Sequence, residues 1–124
     1  MIRWTELTER VNADSEFRLA ARFWSATLRL DMGDASHALR FEDGGLAEVA
    51  ACAGDAPCDL FVGASEEAWR ELLAPIPRPY YQDLFGAALA HGVRLPEDPL
   101  AYAAYYPALR RLMQLLSASR KESA

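Results

Sequence analysis

At 124 residues the chain fits one domain, long enough to bury roughly two-thirds of its unfolded surface without staples. Hydrophobic residues make up 52% and charged residues 25%, which is globular composition. The net charge of −5 provides no cationic face of the kind nucleic acid demands, and no apolar run approaches the roughly 20 residues of a membrane span.

The first elements are helical. Residues 2–11 place Trp4, Leu7 and Val11 at helical spacing, and Asp14 or Ser15 can cap a second helix running into Leu19 and Ala20. The period then changes from 3.6 to 2. In FWSATLRLDM, residues 23–32, Trp24, Ala26, Leu28, Leu30 and Met32 share one face, while Ser25, Thr27, Arg29 and Asp31 share a wet one. Gly33-Asp34 makes a turn into SHALRFE, whose apolar side carries His37, Leu39 and Phe41. Asp43-Gly44-Gly45 is a second hairpin signal, because glycine supplies the positive φ such turns need. LAEVAAC follows with Ala47, Val49 and Ala51 inward. After AGDAP, CDLFVG continues with Cys58, Leu60 and Val62 inward. Each connection is too short for a crossover helix, so these four strands are expected to form an antiparallel meander.

The second half reads as helices. Ser65 caps a helix whose inner face is Trp69, Leu72 and Leu73, with Glu66 and Glu67 at its positive end. PIPRP, residues 75–79, breaks it, and Pro79 suits the first turn of another helix with Tyr81, Leu84, Phe85, Ala88 and Leu89 as its stripe. His91-Gly92 ends that helix. Residues 93–95 allow a short fifth edge strand, and Asp98-Pro99 opens a final helix. The expected fold is α+β: an antiparallel meander sheet of about five strands with helices packed on one face, in a single domain over 1–124 whose residues 1–14 form a helical extension.

The final helix raises a specific question. Tyr102, Tyr105 and Tyr106 share one face, continued by Leu109, Leu112, Met113 and Leu116, and Pro107 interrupts it. A proline there removes one backbone hydrogen bond and crowds the Ala103 carbonyl, so a kink is expected. Buried tyrosine hydroxyls need partners, so three on one helix, with Tyr80 and Tyr81 before it, leave two readings open: ordinary core packing with a tolerated bend, or rings edging an apolar cavity.

No catalytic constellation is evident. His37 on an apolar strand face reads as a neutral core histidine, and His91 at a helix end as structural. Two isolated histidines with Cys52 and Cys58 do not make a zinc set, so neither metal nor cofactor is expected. Asp31, Asp34, Glu42 and Asp43 sit on wet parity or in turns and read as a solvated rim. With no signal-peptide pattern at its start, the chain is expected to be cytoplasmic with both thiols free. The Ala- and Arg-rich, Lys-poor usage suggests a bacterial source.

The succession TLRLDMGDASHALRFEDGG, CDLFVGASEEAWRELL and DLFGAALAHGVRLPED before a final helix resembles the sterol carrier protein 2 family over residues 15–117. The double-glycine hairpin and Asp59-Leu60-Phe61-Val62 are its best matches. The resemblance implies a strand running into a helix at CDLFVGAS–EEAWRELL, a short edge strand at residues 92–95, and a closing helix over a lipid tunnel. It also implies a non-catalytic carrier of a sterol, fatty acid or acyl-CoA, with no cofactor. Wall candidates are then Trp24, Leu28, Phe41, Trp69, Phe85, Tyr102, Tyr105 and Leu109, with Tyr81 and His37 placed to meet a hydroxyl or carboxylate. Two other readings stay open. One is a small enzyme or accessory subunit acting on a steroid- or polyketide-like substrate through His37. The other is an interaction module in which the tyrosine helix meets a homodimer mate or a partner enzyme.

Overall fold

Alternating side chains build three successive strands: β1 (Ala26–Met32), β2 (Ala35–Glu42) and β3 (Gly45–Cys52). Both hairpins are antiparallel, with Leu28 opposite Leu39 and Leu39 opposite Val49, so that one face of the three strands is apolar. The structure, a computed structural model, describes residues 2–74, 88, 92–96 and 99–120. The second hairpin turn uses positive φ at Asp43 (49°) and Gly44 (79°). Gly44 is also sterically required. A Cβ there would lie 2.8 Å from the Ala21 carbonyl oxygen and 3.0 Å from the Arg22 Cα, both backbone atoms.

The fourth strand departs from the expected meander. β4 (Leu60–Ala64) pairs with β1, and in parallel, so the sheet is mixed and four-stranded in the order β3-β2-β1-β4. The expectation failed because a crossover was assumed to need a helix. Residues 53–59 can reach about 24 Å when extended, whereas three strand spacings of about 4.8 Å amount to roughly 14 Å. A bare loop suffices. It crosses the face opposite the helices, where the Ala56 carbonyl accepts a 2.8 Å hydrogen bond from Arg29 Nη1. That loop roofs residues expected to be wet, and Asp31 is 5% exposed in consequence. The expected fifth strand is reduced to a single antiparallel bridge, Gly63 to Arg94, on the outer edge of β4.

A β-bulge in β3 corrects a second expectation. Arg40 pairs with Glu48 but Phe41 pairs with Leu46, so Ala47 is the extra residue. Leu46 and Val49 therefore face the core side although three apart, and Ala47 is exposed rather than inward.

The helices are α1 (Trp4–Ala13), α2 (Ser15–Ala20), α3 (Glu66–Leu72) and α4 (Pro99–Ala118). Asp14 caps α2 by accepting from the Phe17 N–H at 2.7 Å, and Ser65 caps α3 by accepting from Ala68 at 3.1 Å. Ile2 lies outside α1 and bridges to Arg120, which ties the two ends of the described chain together. One core joins the apolar sheet face (Leu28, Leu30, Leu39, Phe41, Leu60, Val62) to Leu7 and Val11 of α1, Phe17 of α2, Trp69 of α3 and Leu109, Leu112 and Leu116 of α4. α4 runs unbroken through Pro107. Ala103 and Pro107 both lie on its exposed side, where water can satisfy the carbonyl that the proline leaves without a donor.

Candidate ligand-binding site

Trp24, just before β1, is the hub of an aromatic cluster. Its ring meets Phe41 of β2 at 5.2 Å, Phe17 of α2 at 5.8 Å and Tyr105 of α4 at 5.0 Å between centroids. All three contacts are close to edge-on, the arrangement that sets a positive ring edge on a negative ring face. Phe17 and Phe41 are 5.7 Å apart and close the group. The cluster unites three expected wall residues, Trp24, Phe41 and Tyr105, and adds Phe17, which the sequence reading passed over. Its signal was the i, i+4 pairing of Phe17 with Ala21, both fully buried.

Along α4, Tyr102 is buried and Tyr105 and Tyr106 are half-buried, while the Tyr102 and Tyr106 rings stand 5.7 Å apart. Leu109 follows with no exposure, and Leu28 of β1 has 1%. Tyr102 and Tyr105 thus pack against the core, Tyr105 on Trp24, while Tyr106 also lines the groove between α2 and α4.

Trp69 does a different job. It is fully buried and its indole Nε1–H donates to the Asp31 backbone carbonyl at 2.7 Å, so it pins α3 to β1. His37 also lies apart from the tyrosines. Its half-buried ring packs 4.5 Å from Trp4 of α1, and its Nδ1 is buried with no hydrogen-bond partner. Burial pulls its pKa below the usual histidine value, so the imidazole is neutral near pH 7. Tyr80, Tyr81, Phe85 and His91 lie outside the described residues.

The acidic rim is partly an interior feature. Asp34, Glu42 and Asp43 are exposed, but Asp31 is held by Arg29 Nε at 3.0 and 3.2 Å and by the Ser36 hydroxyl at 2.7 Å. The Asp31 hydrogen bond raises the Arg29 pKa. Asp31 is thus an ion-paired and hydrogen-bonded carboxylate under the crossover loop. Cys52 and Cys58 are free, and burial pushes the Cys52 thiol up. Among the described residues no group of three or more His, Cys, Asp or Glu side chains could hold a metal ion, and no helix is long and apolar enough to cross a membrane.

Outside the core, α2 and α4 flank a groove of about 530 Å³ lined by Glu16, Ala20, Tyr106, Pro107 and Arg110, among others. Arg111 lines it as well. Its guanidinium meets Asp14 at 2.6 and 3.0 Å and Glu16 at 2.8 Å.

Comparison with solved structures decides the fold. The crystal structure of sterol carrier protein 2 matches with a TM-score of 0.77 at 21% identity, covering 97% of this chain and 98% of that one. The fold is that of sterol carrier protein 2. A solution structure of a conserved hypothetical protein from Thermus thermophilus, itself described as a candidate sterol carrier protein, matches with a TM-score of 0.72 at 20% identity over 96% of this chain and 87% of that one. No family model and no curated protein matches the chain. In this sterol carrier protein 2-like fold, Trp24, Phe41 and Tyr105 come together under the last helix, with Leu28, Leu109 and Tyr102 in the same core. Trp69 and His37 serve other contacts.

Proposed function

We propose that this protein binds and carries a hydrophobic small molecule, of the sterol, fatty acid or acyl-CoA class, in apolar space beneath α4. The observation that supports the reading is the packing of buried Tyr102 and half-buried Tyr105 against a core that includes Leu28, Leu39 and Phe41, within a fold shared with a sterol carrier protein. Binding would be driven by burial of ligand surface at about 25 cal/mol per Å² of apolar area, with phenol groups orienting the polar end. Trp24, Phe41, Tyr102 and Tyr105 are the wall residues that this reading uses. Tyr81 and Phe85 remain its candidates from the preceding segment.

Native mass spectrometry of freshly purified protein, followed by titration with a fluorescent fatty acid and a fluorescent sterol, tests the reading. A co-purified lipid, or saturable one-to-one uptake displaced by unlabelled ligand, is the expected result. Absence of both overturns it.

A further inference from the structure

The two edges of the sheet are finished differently. Outside β4, Gly63 exchanges two backbone hydrogen bonds with Arg94, at 2.9 and 2.6 Å, so that edge is covered there. Outside β3, Asn12 of α1 gives the same cover to Leu46 alone. Its Nδ2 donates to the Leu46 carbonyl at 3.0 Å, and its Oδ1 accepts the Leu46 N–H at 2.8 Å. Both backbone groups of Leu46 therefore point away from β2.

In an antiparallel ladder, alternate residues turn both backbone groups outward. The bulge at Ala47 leaves Glu48 opposite Arg40, and the alternation resumes from there, so Val49 and Ala51 turn theirs outward as well. Among the described residues, no backbone group outside the sheet bonds to either of them. Ala50 and Ala51 are exposed and Val49 is half-buried. Edge strands are ordinarily guarded by lysine, proline, a bulge or a covering element. Here the bulge and Asn12 guard residues 46 and 47, while Val49 to Cys52 carry neither a charge nor a proline. The nearest charge, Glu48, is held by Arg40 at 3.3 Å.

We infer that β3 pairs with β3 of a second copy of this chain, antiparallel about a two-fold axis through Ala50, so that one sheet runs across both molecules. Self-complementarity selects that occupant. With the axis at Ala50, Val49 of each copy exchanges hydrogen bonds with Ala51 of the other, which uses every outward group of both residues. Glu48 comes opposite Cys52, so no like charges face each other. Ala50 meets its own counterpart at the closely spaced position, where Cα atoms stand about 4.5 Å apart and a methyl group fits. The paired stretch, residues 48–52, stops short of the Asn12 clamp at one end and finishes with β3 at the other, so neither has to move. A foreign strand would meet the same backbone groups, but nothing in this stretch selects its side chains. The contact is small, so the dimer is concentration-dependent. The inference requires no internal ligand and stands apart from the carrier reading.

Sedimentation equilibrium of the full chain over a concentration series, with amide hydrogen exchange at low and high concentration, tests it. A reversible monomer–dimer equilibrium is expected. The Val49 and Ala51 amides should exchange about tenfold more slowly in the dimer, whereas Ala50, bonded into the β2 ladder, is protected at both concentrations. Ala51→Pro removes an outward N–H and no ladder bond, so it should weaken dimerisation about tenfold with the urea midpoint of the monomer nearly unchanged. Ala50→Lys, at an exposed position, should do the same by setting like charges opposite each other. In a Cys52→Ser/Cys58→Ser background, Ala50→Cys should cross-link into a disulfide dimer under copper–phenanthroline oxidation, because the Cα spacing suits the bond, and Glu42→Cys should not. Fatty-acid uptake should be equal in the parent and in Ala50→Lys, which separates failure here from failure of the carrier reading. A monomer at every concentration up to the solubility limit overturns the inference. So does a dimer that survives Ala50→Lys and Ala51→Pro, or one in which Ala50→Cys fails to cross-link, since either would place the contact elsewhere.

Discussion

Asp14 and Arg111, 97 residues apart in the chain, form a two-pronged ion pair at 2.6 and 3.0 Å. The same Asp14 carboxylate accepts the Phe17 N–H, so one side chain both starts α2 and fastens it to α4. The Arg111 hydrogen bond holds the Asp14 carboxyl below its ordinary value. A depressed carboxyl pKa contributes stability above the unfolded-state value near 3.8 that is lost as pH falls through the folded value. Asp14→Asn keeps the cap but loses the charge pair. It should cost about 1 kcal/mol at neutral pH, allowing for solvent screening of the half-exposed guanidinium. Urea midpoints of parent and variant should converge in strong acid.

The hub of the aromatic cluster should dominate stability. Trp24→Ala removes ring contacts to Phe17, Phe41 and Tyr105 at once. A loss of about 3–5 kcal/mol in urea denaturation is expected. Tyr105→Ala takes away a half-buried ring and should cost less, about 1–2 kcal/mol. It should also weaken fatty-acid uptake, whereas Tyr105→Phe keeps the ring and should retain most of it.

What the sequence made legible here follows from which interactions are local. The alternation of Leu28 with Leu30, and of Leu39 with Phe41, is written residue by residue, and β1 and β2 followed it. The Ser65 cap and the Asp43-Gly44 turn are equally local signals and were legible, whereas Asp14 and Ser15 were both eligible to cap α2 and the structure selects Asp14. The partner of β4 is not local. Leu60 and Val62 carry the same inward parity beside β3 or beside β1, and only the burial of Asp31 and Ser36 beneath residues 53–59 distinguishes the two. The bulge at Ala47 was hidden because Ala47, Val49 and Ala51 also satisfy a strict two-residue period. At the site, the packing of Tyr102 and Tyr105 against the core was visible from their i, i+3 spacing. The separation of His37 from them was not, because that depends on Trp4 of α1 arriving over β2.

The β2–β3 turn should tolerate no side chain at its second position. Gly44→Ala places a Cβ against the Ala21 carbonyl at 2.8 Å and imposes a φ of 79° on an L-residue. Both effects act at the junction between the turn and the end of α2. A loss of about 2–3 kcal/mol is expected by thermal or urea denaturation. Gly54→Ala is a fitting control. Its Cβ would lie 3.6 Å from the Ser36 hydroxyl, an ordinary contact, and its φ is not positive, so its effect should be near zero.

His37 provides a pH test with the opposite chemistry to Asp14. Its folded pKa is depressed by burial, so the unfolded chain binds a proton that the folded chain refuses. The stability linked to it is complete above the unfolded value of 6.5 and declines as pH falls from there toward the folded value. Below that value the loss levels off. Replacing His37 with Leu removes the titrating group while keeping an apolar side chain against Trp4. The slope of urea midpoint against pH just below neutrality should then flatten, with the midpoint at pH 8 little changed. The same variant discriminates between functions: a fatty-acid carrier should still take up ligand with His37→Leu, whereas an enzyme relying on that imidazole would lose turnover. An unaltered pH slope in the variant would mean that His37 is not the group refusing the proton.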